Sequence, residues 1–78
     1  MPNTEKKVKE IILEIIEENN LKKIDHNSIN QSSKLSEDLG LDSLNLAQLT
    51  VMIEEEFNKD IFENKIVRTF GEIMEVLN

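Results

Sequence analysis

Apolar residues recur along three stretches of this chain at the spacing of an α-helix, and no stretch makes a convincing strand. Val8, Ile11, Ile12, Ile15 and Ile16 fall at i, i+3, i+4, i+7 and i+8, which puts them on one helical face. Leu46, Leu49, Thr50, Ile53 and Phe57 form a second stripe in mid-chain, and Phe70, Ile73, Met74 and Leu77 a third near the end. Helices with one apolar stripe each bury those stripes against one another around a single core. The expected architecture is all-α: a small bundle of three main helices plus one short helix, with a long first loop.

The bundle has no covalent or metal staple to rely on. A chain of 78 residues makes one domain, here residues 1–78, and so short a chain has little interior. There is no Cys, and His26 is the sole His, so disulfides, thiolate metal sites and the usual zinc ligand sets are excluded. No segment approaches the ~20 apolar residues of a membrane span. The N-terminus, Met1-Pro2-Asn3-Thr4-Glu5-Lys6, has no apolar run of the signal-peptide kind. A soluble, cytoplasmic monomer is expected.

Local signals set the expected boundaries. The first helix runs from about Thr4, as N-cap, to Glu18, with Glu5 in its first turn and Asn19-Asn20 as its stop. Residues 21–35 are a polar connection tacked down by Leu21, Ile24, Ile29 and Leu35; His26 within it reads as a solvated loop residue. Leu35 to Gly40 is a short turn closed by glycine. The second helix runs from Asp42 or Ser43 to about Asn58, where the Thr50 hydroxyl can bond the Leu46 carbonyl. Asp60 to Val67 suggests one short helical turn, with Ile61, Phe62, Ile66 and Val67 inward. Thr69 and Glu72 have the spacing of a capping box that opens the last helix.

Charge points to one region. The net charge is −7, which opposes binding to a nucleic-acid backbone. Residues 1–35 are neutral, with six acids and six bases, whereas residues 36–60 hold seven acids against Lys59. A solvated acidic face is one reading of such a run; a surface that steers basic partners is the other. Ser43 lies inside this segment, in Leu39-Gly40-Leu41-Asp42-Ser43-Leu44. Spacing alone leaves two roles for it. It could be the N-cap, or, if Asp42 caps, its hydroxyl is left free at a helix N-terminus that favours a phosphate. A hydrolase nucleophile is the weaker reading, since no Gly-x-Ser-x-Gly elbow is present. Leu44, Gln48, Val51 and Glu55 share another face of the same helix; Leu44 and Val51 are expected to be at least partly exposed, as a partner-docking patch would be. Glu37, Asp38 and Asp42 lack the alternating oxygen ligands of a calcium loop, and no metal site is expected.

The stretch Leu39-Gly40-Leu41-Asp42-Ser43-Leu44, followed by Ile53-Glu54-Glu55-Glu56-Phe57, resembles the acyl carrier proteins. The resemblance extends to size, acidity, helix order and the long first loop. It implies that Ser43 takes a 4′-phosphopantetheine arm from coenzyme A, added by a Mg²⁺-dependent phosphopantetheinyl transferase that recognises Asp42 and Leu44. The implied protein is a carrier and not an enzyme, because the arm's thiol carries the acyl group as a thioester. Its partners are acyl-transferring or adenylating enzymes and synthases with basic docking surfaces, met by Asp42, Leu44, Gln48, Val51, Glu54 and Glu55. The resemblance also implies departures. Asn45 and Gln48 are amides where fatty-acid carriers typically have acids, which reads as two lost partner-binding charges. Phe62 replaces a common proline. The stretch after Phe57 is also shorter by about two residues. These departures weaken an assignment to fatty acid synthesis and suggest a specialised carrier, of a polyketide-like or other secondary pathway. A peptidyl, aryl or aminoacyl carrier is the alternative, and an unmodified helical adaptor is another.

Overall fold

The first apolar stripe produces the longest helix. In the computed structural model, which describes residues 2–62 and 66–77, α1 spans Pro2–Glu18. It starts two residues before the expected cap, so Thr4 lies inside the helix. Proline suits a first helical position, where an absent N–H leaves no bond unmade. Glu5 stays in the first turn and pairs with Lys9 at 3.2 Å. At the other end Asn20 takes a left-handed φ of 55°. The Leu21 N–H then donates to the Ile16 carbonyl at 3.0 Å, and the Asn20 N–H to Glu17 at 3.3 Å. This is a Schellman ending, built on asparagine where glycine is usual.

The second stripe gives α2, Ser43–Phe57, closed by Asn58 with φ 59° and an N–H bond to the Glu54 carbonyl. Leu49 and Ile53 of its stripe are buried; Leu46, Thr50 and Phe57 are half-buried. The Thr50 hydroxyl donates to the Leu46 carbonyl at 2.9 Å, as expected. The third stripe gives α3, Phe70–Leu77. Its capping box is present: the Glu72 N–H donates to Thr69 Oγ1 at 3.2 Å and the Thr69 N–H to Glu72 Oε1 at 3.0 Å. Val8, Ile12 and Ile15 of α1 meet Leu49 and Ile53 of α2 and Phe70 and Ile73 of α3 in one fully buried cluster. The described residues contain no strand beyond one isolated bridge, Lys34 to Thr69.

The long first loop is part of this core. Ile29, Leu35, Leu39 and Leu41 are buried, while Leu21 and Ile24 pack partly against the cluster. Backbone bonds stitch the loop to the entry of α3. The Leu35 N–H donates to the Arg68 carbonyl at 2.8 Å, Phe70 to Ser33 at 2.9 Å, and Gly71 to Gln31 at 3.0 Å. Gly71 is glycine for a reason of space: a Cβ there would lie 2.7 Å from the Gln31 carbonyl oxygen.

A short 3₁₀ helix lies at His26–Ser28 in the first loop, with Asp25 as its cap. The turn expected over Asp60–Val67 falls partly on 63–65, outside the described residues. What is described there is an Asx turn, in which the Phe62 N–H donates to Asp60 Oδ1 at 2.9 Å. Ile61 and Val67 are buried and Phe62 half-buried, but Ile66 is 69% exposed. Adjacent side chains of an extended segment point to opposite sides. With Val67 inward, Ile66 and Arg68 face out.

Candidate functional site

The mouth of α2 is built from the turn before it. Asp38 and Leu39 donate their N–H groups to the Lys34 carbonyl at 2.9 and 3.0 Å, Gly40 to Ser36 at 3.2 Å, and Leu41 to Leu35 at 3.0 Å. Asp38 Oδ2 closes the turn from the other side by accepting the Lys34 N–H at 2.8 Å. Gly40, at φ +74°, bends the chain between two buried leucines, Leu39 and Leu41. A left-handed position of this kind favours glycine. With Leu41 anchored in the core, Asp42 arrives extended at the helix entrance.

Asp42 is the N-cap, and this resolves the two readings of Ser43. Asp42 Oδ1 accepts the Asn45 N–H at 2.9 Å, and Asn45 Oδ1 accepts the Asp42 N–H at 3.1 Å. The reciprocal pair is a capping box with an amide in the place of the usual Glu or Gln. Ser43 is therefore the first helical residue. It is exposed, and its hydroxyl makes no hydrogen bond to any described residue. The N–H groups of Ser43 and Leu44 also have no partner among the described residues, since Asn45 and Leu46 are the first to be paired, both to Asp42. Free N–H groups and the positive end of a helix dipole favour a phosphate at this point.

Asn45 is corrected by the same geometry. It is 3% exposed and occupied with Asp42, so its amide is a part of the helix cap and is no charge missing from a partner-facing surface. Sequence spacing already offered the signal, an Asx-x-x-Asn at a helix start, but its polarity on an otherwise apolar side concealed it. Leu44 and Val51 are exposed, at 76% and 57%, and Glu54 and Glu55 are exposed beside them. Gln48 differs from its neighbours. It is half-buried and tied to α1, donating from Nε2 to Glu18 Oε1 at 3.0 Å and accepting from Asn19 Nδ2 at 3.3 Å. Among the described residues, no group of three or more His, Asp or Glu side chains is placed to hold a metal ion. No described helix is long and apolar enough to cross a membrane.

Comparison with known proteins bears on the same segment. The profile of the family described as "Phosphopantetheine attachment site" matches residues 6–77. The chain belongs to the acyl carrier protein family. The acyl carrier protein of Chlamydia caviae is 38% identical over 53 residues, covering 65% of this chain and 69% of that protein. The acyl carrier protein of Chlamydia felis is 36% identical over 53 residues, with 65% and 68% covered. The covalently bound group of this carrier family is 4′-phosphopantetheine. The α2 mouth fits that group: an uncommitted hydroxyl for the ester, two unpaired N–H groups for its phosphate, and an exposed position flanked by the exposed residues Asp42 and Leu44.

Proposed function

We propose that Ser43 is the residue that carries the 4′-phosphopantetheine arm, and that residues 1–78 act as a single carrier domain in the cytoplasm, presenting acyl groups and catalysing nothing. The observation that carries this reading is the division of labour at the α2 entrance: Asp42 takes the cap, and the neighbouring hydroxyl is exposed and uncommitted. When bound, the arm supplies a thiol that holds acyl groups as thioesters; the chemistry is the cofactor's. The residues around it bind and orient. The first-turn N–H groups of α2 would neutralise the phosphate, and the rigid turn from Leu35 to Leu41 fixes where the arm leaves the surface.

The docking face in this reading is the outer side of α2. Asp42 and Leu44 would meet the phosphopantetheinyl transferase, with Gln48, Val51, Glu54 and Glu55 extending the contact toward basic surfaces of synthases and acyl-transferring or adenylating enzymes. With Asn45 inside the cap, Gln48 and Phe62 are the departures that favour a dedicated secondary pathway over fatty acid synthesis. Cargo is chosen by the loading enzyme, so malonyl and aminoacyl donors offered with their transferring enzymes separate an acyl carrier from an aminoacyl one.

Intact mass tests the attachment. Incubation with coenzyme A, Mg²⁺ and a phosphopantetheinyl transferase is expected to add one phosphopantetheine to the wild type and none to Ser43→Ala, whose melting temperature stays within a few degrees because the side chain is exposed and caps nothing. A folded wild type that gains no mass would discard the carrier role and leave an adaptor built on Leu44 and Val51.

A further inference from the structure

The docking face of α2 is not made by α2 alone. Gln48 lies between Leu44 and Val51 at helical spacing, yet it is half-buried while they are exposed. The end of α1 covers it. Glu18 Oε1 accepts from Gln48 Nε2 at 3.0 Å, and Asn19 Nδ2 donates to Gln48 Oε1 at 3.3 Å. Asn19 is fixed in turn, since its side-chain amide also donates to the Ile15 carbonyl at 2.8 Å. The Schellman turn at Asn20 sets where α1 stops and hence where Glu18 stands. A carboxylate from one helix is thus held beside the exposed apolar residues of another. Glu18 is itself exposed and makes no ion pair among the described residues. An amide neutralises no charge, and the second carboxylate oxygen remains open to a cation.

We propose that the face read by a basic partner spans two helices, with Glu18 of α1 as a partner-contact residue and Gln48 as the clasp that positions it. This rests on the carrier reading of Ser43. The partner chemistry is a Lys or Arg side chain set next to an apolar surface: the cation meets Glu18 while the apolar surface covers Leu44 and Val51. The negative surface continues along α1, because Glu14 and Glu17 line a groove with Met52 and Glu55 of α2. The cation in that groove, Lys7, lies 11 residues from Glu18, about 16 Å along the helix, too far to neutralise it through physiological salt; Lys23, past the end of α1, lines a neighbouring pocket with Glu17 and makes no ion pair among the described residues.

The test is the kinetics of arm attachment by a phosphopantetheinyl transferase whose docking surface is basic, with kcat and KM measured separately at low and high salt. Glu18→Lys is expected to raise KM about fivefold with kcat unchanged, an effect that shrinks in high salt. Glu18→Gln raises it about threefold. Glu18→Gln combined with Gln48→Glu exchanges amide and carboxylate across the same contact, and returns KM to the wild-type value. Glu5→Lys makes an identical charge change about 20 Å away on α1 and leaves KM within twofold. Glu5 and Glu18 are exposed and Gln48 is half-buried, and melting curves verify that each variant, the exchanged pair included, is folded. Equal KM values for Glu18→Lys and Glu5→Lys, or no recovery in the exchanged pair, overturn the two-helix face while the carrier reading stands. A wild type that accepts no arm overturns both.

Discussion

Asp42 and Ser43 divide two tasks that one serine performs at many helix starts. Asp42 satisfies the helix entrance and Ser43 stays available. Asn45 completes the first task from inside the helix, and its buried side chain makes its substitution costly. Asn45→Ala removes the acceptor of the Asp42 N–H at a 3% exposed position and is expected to destabilise by about 1–2 kcal/mol. Urea denaturation measures this as a lower midpoint with an unchanged slope. An unaltered midpoint would mean that the reciprocal pair is not what holds the cap. The same residue shows where sequence reading stops. An amide at this position has one identity in the chain and two possible addresses, docking face or helix cap, and only its burial and its reciprocal bonds to Asp42 decide between them.

At the scale of elements, periodicity makes the three helices legible, because each must put one stripe into a shared core. The Thr69–Glu72 box and the Asn19-Asn20 stop are legible for a similar reason: they act within a few residues. What depends on contacts across the chain is not legible. Glu18 reaches Gln48 over 30 residues, and nothing in either local sequence marks the pair. Ile66 carries the hydrophobicity of a core residue but sits on the outward side of an extended segment. Gly71 is the sharpest case, since its glycine answers to Gln31 on the far side of a loop. In isolation, Gly71→Ala would gain about 1 kcal/mol of helix propensity. Here the added methyl meets backbone at 2.7 Å, and a net loss of about 1–3 kcal/mol is expected. Gly40→Ala meets nothing within 4 Å and costs only its left-handed backbone, about 1–2 kcal/mol. Hydrogen exchange separates the two. Gly71→Ala exposes the amides of Leu35 and Phe70, whereas Gly40→Ala leaves them protected.

For the whole molecule, a net charge of −7 sits over a core with no cross-link, and in the proposed carrier role the attraction of basic partners falls to its surface carboxylates. Their long-range part is screened by salt. Partner affinity of the wild type is therefore expected to fall as salt rises, mainly through slower association. Glu55→Lys, at an exposed position on the outer face of α2, lowers affinity at low salt and flattens that dependence. Titration calorimetry or stopped-flow mixing at several ionic strengths reads both effects, and affinity indifferent to salt would reassign binding to Leu44 and Val51. The stitched loop has a bearing on the molecule of another kind. Gln31 and Ser33 accept from Gly71 and Phe70 of α3, Leu35 donates to Arg68 just before it, and burial alternates through Ser33, Lys34 and Leu35. That segment behaves as a ruler: its residue count fixes where Leu41 enters the core, and so the depth at which Ser43 stands on the surface. Length in this part of the loop is not slack: one residue more would shift its register against Arg68, Phe70 and Gly71, and with it the place of Leu41 and Ser43.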